Sequence, residues 1–349
     1  MPPARRSRRR YARGVRSIEG LRGAAIVTRG GRVTLEAAGG LADAAAGAEC
    51  TPRTRFQIAS VSKQFAALAA MLLAESGQLD LAEPVARWFP GGPPQWQRVT
   101  LHHLLTHTAG VRHWGDAPGF DPSQPVDLTE RVALVLQAPL LTEPGTRWQY
   151  SSLGYVLAGY IVAQASGQSY PSFLAERVLG PLGLTATSSG DAPASAAARG
   201  YRDGRPVPTW PLSAMPGTGD IWSTVSDLAR FTAAVHSGSL ISQRSLQAMI
   251  TPHAPLPDDQ GTSDGWMVCD GYGYGQFIGR IAGHPAYLHP GDNPGYQSLA
   301  VWLPGQAAGV IILSNDEAAD IEALLRQLIP AALAGDEPGD AIGPGGRAE

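Results

Sequence analysis

Ser60-Val61-Ser62-Lys63 opens the first strongly helical stretch of the chain, so the Ser60 hydroxyl and the Lys63 amine, three residues apart, fall on one helix face. A hydroxyl becomes a nucleophile when a neighbour takes its proton, and an amine can do so once it is itself unprotonated. The start of a helix adds free backbone N–H groups and a dipole, both of which favour negative charge growing on a carbonyl oxygen under attack. Serine is a common N-cap and lysine a common helix residue, so the pair says little alone. Of the 27 basic residues, however, 26 are arginine, and Lys63 is the one lysine. Arginine keeps its proton at any working pH, whereas a buried lysine can lose it.

Two later segments carry matching chemistry. Tyr150-Ser151-Ser152 follows the turn Glu143-Pro144-Gly145 and precedes a helix beginning near Leu153, so Tyr150 projects from a helix entrance. His289-Pro290-Gly291 closes an apparent strand, where His289 and Gly291 share a face at a period of two and the glycine admits close approach by a ligand. Other motifs lack their context. Gly261-Thr262-Ser263-Asp264-Gly265 has the Gly-x-Ser-x-Gly spacing but no strand before it or helix after it. His103 and His107 have a zinc-like spacing, but position 104 is leucine and no third ligand follows. Gly271-Tyr272-Gly273-Tyr274-Gly275 reads as a loop entering a strand rather than a phosphate cradle. No metal and no cofactor is expected. Trp114, after Arg112-His113, suits either the rim of a site or plain burial.

The elements that must position these residues are legible in outline. Ala24–Thr28 and Arg32–Ala38 flank Gly30-Gly31 as a hairpin, and residues 60–76 read as a helix with Val61, Phe65, Leu68, Leu72 and Leu73 on one face and Gly77 as its stop. Helical periodicity recurs at 101–107, 129–137, 153–166, 170–178 and 226–236. Strand patterns follow at 274–281, 286–289, 296–303 and 309–314, and a final helix spans 316–333 with a kink expected at Pro330. Strands at both ends of the pattern with a helical middle predict an α+β body carrying an all-α insertion.

Composition narrows the partners. At 349 residues, 44% hydrophobic, with a net charge of −3, the chain can bury a large core and lacks the bulk positive charge of a nonspecific nucleic-acid binder. Residues 1–16, with seven arginines, look like the start of a signal peptide, but no apolar stretch follows, so a disordered basic leader on a cytoplasmic protein is expected. No run approaches a membrane span. Residues 335–349 read as a flexible acidic tail, and 17–334 as a single catalytic domain, with its α/β part near 17–60 and 215–334 and its helical part near 61–214. Cys50 and Cys269 are expected to be plain buried thiols. The oligomeric state is not legible.

Taken together in order and spacing, these motifs resemble the penicillin-recognising serine hydrolases: class C β-lactamases, D-Ala-D-Ala carboxypeptidases and β-lactamase-like esterases. The accompanying text agrees, in Phe56-Gln57-Ile58-Ala59-Ser60, His103-Leu104-Leu105-Thr106-His107-Thr108-Ala109-Gly110, Pro181-Leu182-Gly183-Leu184 and Gly291-Asp292-Asn293-Pro294-Gly295-Tyr296. The resemblance runs from about Leu21 to Ala334. It implies a β-lactamase/transpeptidase-like fold, an antiparallel sheet built from both chain ends and flanked by helices. It implies Ser60 as the acylated nucleophile, Lys63 as its proton partner, and Tyr150 as the base that shuttles a proton to the leaving group. The oxyanion hole would be the backbone N–H groups of Ser60 and Asp292, with Ser152, His289 and Gly291 in substrate binding and Trp114 at the rim. Which of Lys63 and Tyr150 accepts the first proton stays open.

Two departures bear on specificity. His289 stands where β-lactamases usually carry lysine, and Ser152 where the family usually has asparagine, whose amide both donates and accepts. The expectation is therefore a serine hydrolase that cleaves an ester or amide of a small-molecule acyl substrate through an acyl-enzyme, esterase- or peptidase-like rather than a true β-lactamase. The alternative is a transacylase that hands the acyl group to an amine or alcohol. A silent binding module on this fold is a third reading, opposed by the intact Ser60, Lys63 and Tyr150.

Overall fold

Gly30 and Gly31, at φ +53° and +75°, close the two-residue turn between β1 (Gly23–Arg29) and β2 (Arg32–Gly39), a backbone twist that side chains resist. The computed structural model describes residues 18–257 and 261–334, so the basic leader and acidic tail expected from the sequence lie outside the described residues. The hairpin cannot bury both its faces alone. It joins β3 (Ala254–Pro255), β4 (Met267–Tyr272), β5 (Phe277–Ile281), β6 (His284–Asn293), β7 (Tyr296–Leu303) and β8 (Ala308–Ser314) in an eight-stranded antiparallel sheet of order β3-β4-β5-β6-β7-β8-β1-β2. β1 therefore lies between its hairpin partner and the last strand of the sheet.

Side-chain alternation divides the core in two. Ala24 and Ile26 of β1 with Ile311 and Leu313 of β8 face one cluster, while Ala25 and Val27 with Val310 and Ile312 face the other. The first cluster includes Val225, Leu228, Phe231 and Val235 of a helix at Val225–Ser237, and it continues into the helical body. The second is closed by the terminal helix Ile321–Leu333 through Leu324, Leu325, Leu328 and Ile329. This is the α+β, β-lactamase/transpeptidase-like arrangement that the resemblance implied.

Helix α1 (Ser62–Glu75) runs through the middle of the helical body. The sequence suggests one apolar face, but every residue from Ser62 to Leu73 is buried, so α1 is a central helix rather than an amphipathic one. Its alanines let neighbours approach on the sides left without large residues. The turn between β4 and β5 reaches it at Gly275 (φ +75°), where a Cβ would stand 2.7 Å from the Lys63 carbonyl oxygen.

Several boundaries move. Gly271 and Tyr272 belong to β4, not to a loop, and the next strand starts at Phe277 rather than at Tyr274; a bulge between Cys269 and Gly271 and the three glycines hide the alternation. β6 continues past His289 to Asn293. The stretch from Tyr170 is α-helical only to Leu174, then widens into a π-helical turn over Ala175–Leu179. The terminal helix begins at Ile321, N-capped by Asp320 through Ala323 N–H at 2.9 Å, and Pro330 lies within it. Cys50 is buried, but Cys269 is only half-buried. Ser263 sits exposed in a turn, with no strand-to-helix elbow around it. Among the described residues no helix is long and apolar enough to cross a membrane, and no group of three or more His, Cys, Asp or Glu is gathered to hold a metal.

Candidate active site

Ala59, a non-glycine residue at φ +46°, turns the chain so that Ser60 stands in a single 3-10 turn, Ala59–Val61, at the entrance of α1. That turn is tied to the sheet: Ser298 Oγ of β7 donates to the Ile58 carbonyl at 2.7 Å, and Ile58 N–H donates to the Ile221 carbonyl at 3.0 Å. Gly291 of β6 lies flat against it. A Cβ there would stand 2.5 Å from the Ile58 carbonyl oxygen and 3.0 Å from Ser60 N, and would also meet Ser298 Oγ. Ser60 keeps 8% of its surface open, enough to be reached from one side.

Lys63, one helical turn on, has no exposed surface. Its Nζ lies 3.0 Å from Ser60 Oγ, 3.3 Å from Ser152 Oγ, and 3.2 Å from both the carbonyl oxygen and the Oγ1 of Thr218. Burial holds its pKa well below the ordinary lysine value, against the opposing pull of Asp220. Asp220 is buried as well and its carboxyl is raised to about 6 by that burial, despite accepting from Ser189 and from Gly217 N–H at 2.8 Å. An unprotonated amine beside a serine hydroxyl is the proton acceptor that nucleophilic attack requires.

Tyr150 enters from the other side of the cleft, just before helix α4 (Ser152–Ser166). Two histidines fix the turn that carries it. His107 Nδ1 accepts from Ser151 N–H at 3.1 Å, and His113 Nδ1 accepts from Ser152 N–H at 3.2 Å. A ring nitrogen that accepts is unprotonated, so both are neutral with the proton on Nε2, in line with the pKa of His113 falling to about 4 and that of His107 falling well below the usual value, each mainly through burial. Ser151 Oγ caps α4 at Gly154 N–H (3.0 Å) and donates to the Arg112 carbonyl (2.8 Å). The His107 ring lies 4.4 Å from that of Tyr150, and Lys63 Nζ stands 4.8 Å from the Tyr150 ring centroid. Burial raises the Tyr150 phenol well above its ordinary pKa, partly offset by hydrogen bonding to Ser60 and Ser152.

The structure brings Ser60, Trp114, Tyr150, Ser152, His289, Gly291 and Asp292 to the wall of one cavity of about 510 Å³. Lys63 lies directly beneath it. Their states differ from the sequence expectation in two places. Ser152 is wholly buried, with its hydroxyl turned toward Lys63. His289 is 1% exposed and has both ring nitrogens engaged, Nδ1 with the Pro290 carbonyl at 2.6 Å and Nε2 with the Tyr272 hydroxyl at 3.0 Å. Burial lowers its pKa to about 3, so it offers an incoming carboxylate no charge.

Sequence reasoning missed His107 and His113 as supports of the Tyr150 turn, and Thr218 and Asp220 behind Lys63. His103, with which His107 shares a zinc-like spacing, instead accepts from Thr100 N–H at 3.2 Å and caps its own helix. No spacing rule links these residues to Ser60 and Lys63, since they reach the site from two separate stretches, 107–113 and 218–220.

Relatives of known sequence or structure share this frame. A family model described as Beta-lactamase matches residues 9–333. The chain is 28% identical over 302 residues to a putative penicillin-binding protein of Bacillus subtilis, covering 85% of this chain and 71% of that one. It is 37% identical over 201 residues to an esterase of Burkholderia gladioli, covering 53% of this chain and 51% of the esterase, about half its length. The solved D-amino acid amidase of Ochrobactrum anthropi superposes with a TM-score of 0.76 at 26% identity, over 90% of this chain and 92% of that one. With the family model spanning nearly all of the sheet and the helices that converge on Ser60, the chain belongs to the beta-lactamase family.

Proposed function

We propose that this chain is a serine hydrolase that cleaves a non-anionic ester or amide through an acyl-enzyme on Ser60. The observation that carries the reading is the contact of Lys63 Nζ with Ser60 Oγ at 3.0 Å in a site where burial disfavours the charged amine. In the first step Ser60 Oγ forms a bond to the substrate carbonyl carbon while its proton passes into the Lys63–Tyr150 pair. The carbonyl oxygen takes the negative charge, facing the N–H groups of Ser60 and Asp292 at the junction where Gly291 abuts the nucleophile turn. The tetrahedral species then expels an alcohol or amine, which receives that proton through Tyr150, and water repeats the sequence to release the acid. β6 helps to seat the substrate, because β5 pairs with it only as far as Leu288 and leaves His289–Asn293 with an open edge beside the pocket.

The preference for non-anionic substrates follows from the pocket wall. His289 has no free nitrogen and Ser152 no free amide, so two contacts that would orient an acylamino carboxylate are missing; each is worth on the order of 1–3 kcal/mol. The names of the esterase and amidase relatives fit the same chemistry. The test compares kcat/KM for a p-nitrophenyl ester and a chromogenic cephalosporin, alongside labelling by a fluorophosphonate. The ester is expected to win by roughly a hundredfold or more, and the label to fall on Ser60 alone and vanish in Ser60→Ala. Faster cephalosporin turnover, or labelling that survives in Ser60→Ala, overturns the reading.

A further inference from the structure

We propose that the pocket holds a cation subsite at Asp292, so that the substrate met by Ser60 carries an amine or quaternary ammonium group. The inference rests on the acyl-enzyme reading above and names the substrate class within it. Asp292 is directly opposite Gln297 in the β6–β7 register, and both residues line the cavity. Its side chain is exposed, and its carboxylate makes no hydrogen bond or ion pair among the described residues. The charged groups felt there are Arg202 and Glu317, and they are bound to each other, Arg202 Nη2 donating to Glu317 Oε1 at 2.9 Å. Glu317 adds to the negative potential at Asp292, while Arg202, held by Glu317, still exerts an opposing pull on it.

The remaining wall suits a cation equally well. Trp114, Trp148, Tyr150 and Phe277 surround the opening, with the Trp148 ring centre 6.4 Å from that of Tyr150 and 6.3 Å from that of Phe277. Aromatic faces attract positive charge through their quadrupoles, most strongly when water is partly excluded. Among the described residues no lysine or arginine lines the cavity, and the imidazole of His289 is occupied on both sides. A carboxylate on the substrate would meet Asp292 with no counter-charge, whereas an ammonium would meet a free carboxylate and several ring faces. Gly291 lies against Ser60, and Asp292, the next residue of β6, lines the same cavity as the nucleophile, so the ammonium would be held in the pocket that Ser60 opens into.

The experiment measures binding of choline and of neohexanol, its uncharged carbon isostere, to the full chain by calorimetry. Choline is expected to bind roughly tenfold more tightly. Asp292→Asn should cut the choline-to-neohexanol ratio by a similar factor, and Asp292→Glu, which keeps the charge, should preserve it. Equal binding of the two probes by the unmodified chain, or a ratio unchanged in a folded Asp292→Asn protein, overturns the subsite. Binding needs no turnover, so the two readings separate. A chain that prefers choline but takes no fluorophosphonate on Ser60 keeps the subsite and loses the acyl-enzyme. One that is labelled but shows no preference for choline loses only the subsite.

Discussion

Lys63 occupies a position that a guanidinium cannot fill. Its Nζ is 3.2 Å from the Thr218 carbonyl and 3.0 Å from Ser60 Oγ with no exposed surface, and the acceptor role proposed for it depends on an amine that gives up its proton. Lys63→Arg is therefore expected to lose about as much kcat/KM as Lys63→Ala, ~10²–10⁴ in each case, although it conserves the formal charge. Turnover of a p-nitrophenyl ester measures this, and near-normal rates for the arginine variant would make Lys63 merely structural. Ser60, Lys63 and Tyr150 were legible because their chemistry is tied to residue type: one lysine among 27 basic residues, a hydroxyl three positions before it, and a tyrosine at a helix entrance. The supports were not legible. His107 and His113 act by accepting from the N–H groups of Ser151 and Ser152, a function that any acceptor of suitable shape could fill and that no spacing reveals. The availability of His289 was also beyond the sequence, since its two hydrogen bonds depend on where Tyr272 and the Pro290 carbonyl come to lie.

At the scale of elements, the site is a seam between β6 and the turn leading into α1. Gly291 is where the seam closes, and Gly291→Ala would press a methyl group against the Ile58 carbonyl and Ser60 N–H. Both are backbone atoms and cannot swing aside, so β6 must lift and take the Asp292 N–H with it. Activity should fall by ~10²-fold or more, the usual consequence of losing one oxyanion donor, while the melting temperature drops by only a few degrees, as expected for a local loss of ~1–2 kcal/mol. Ester turnover and thermal melts on the same preparation check this; a variant that melts normally and retains full activity removes Asp292 N–H from the oxyanion hole. Elements with clean periodicity were readable in the sequence, including the β1–β2 hairpin and α4. β4 was not, because Asp270 and Gly271 interrupt its alternation and a bulge shifts its register. Nor was the full burial of α1, because alanines at positions 66, 67, 69 and 70 read as neutral filler although they are where other elements pack closely.

For the whole molecule, the buried imidazoles set the response to acid. His102, His113 and His236 are lowered to about 4 and His289 to about 3, each chiefly by burial, whereas an unfolded histidine titrates near 6.5. Between pH 6.5 and about 4 the unfolded chain thus binds more protons than the folded one, and the stabilisation present above pH 6.5 is lost as pH falls. Asp220 works in the opposite direction, since its carboxyl is raised to about 6 and gains a proton in the folded state first, as does the raised Asp292, but these two carboxyls are outnumbered by the lowered imidazoles, which also include His103 and His107. Stability should decline by at least ~1.4 kcal/mol per pH unit, one net proton, from pH 6 to pH 5. Urea midpoints at pH 7, 6 and 5 measure the slope, and a flat profile would mean that these imidazoles are not neutral in the folded chain. The position of β1 between β2 and β8 has a different consequence, one for biosynthesis. A ribosome releases Ser60, Lys63 and Tyr150 long before β6, β7 and β8 exist, and β1 must wait for the last of these strands to cover its second edge. On the proposed mechanism, the growing polypeptide therefore carries a complete set of reactive side chains without the N–H donor that would make them an enzyme. Nascent chains stalled ahead of β6 should take no fluorophosphonate, and labelling should begin only once β8 has emerged, so that the nucleophile stays silent until synthesis of the sheet is finished.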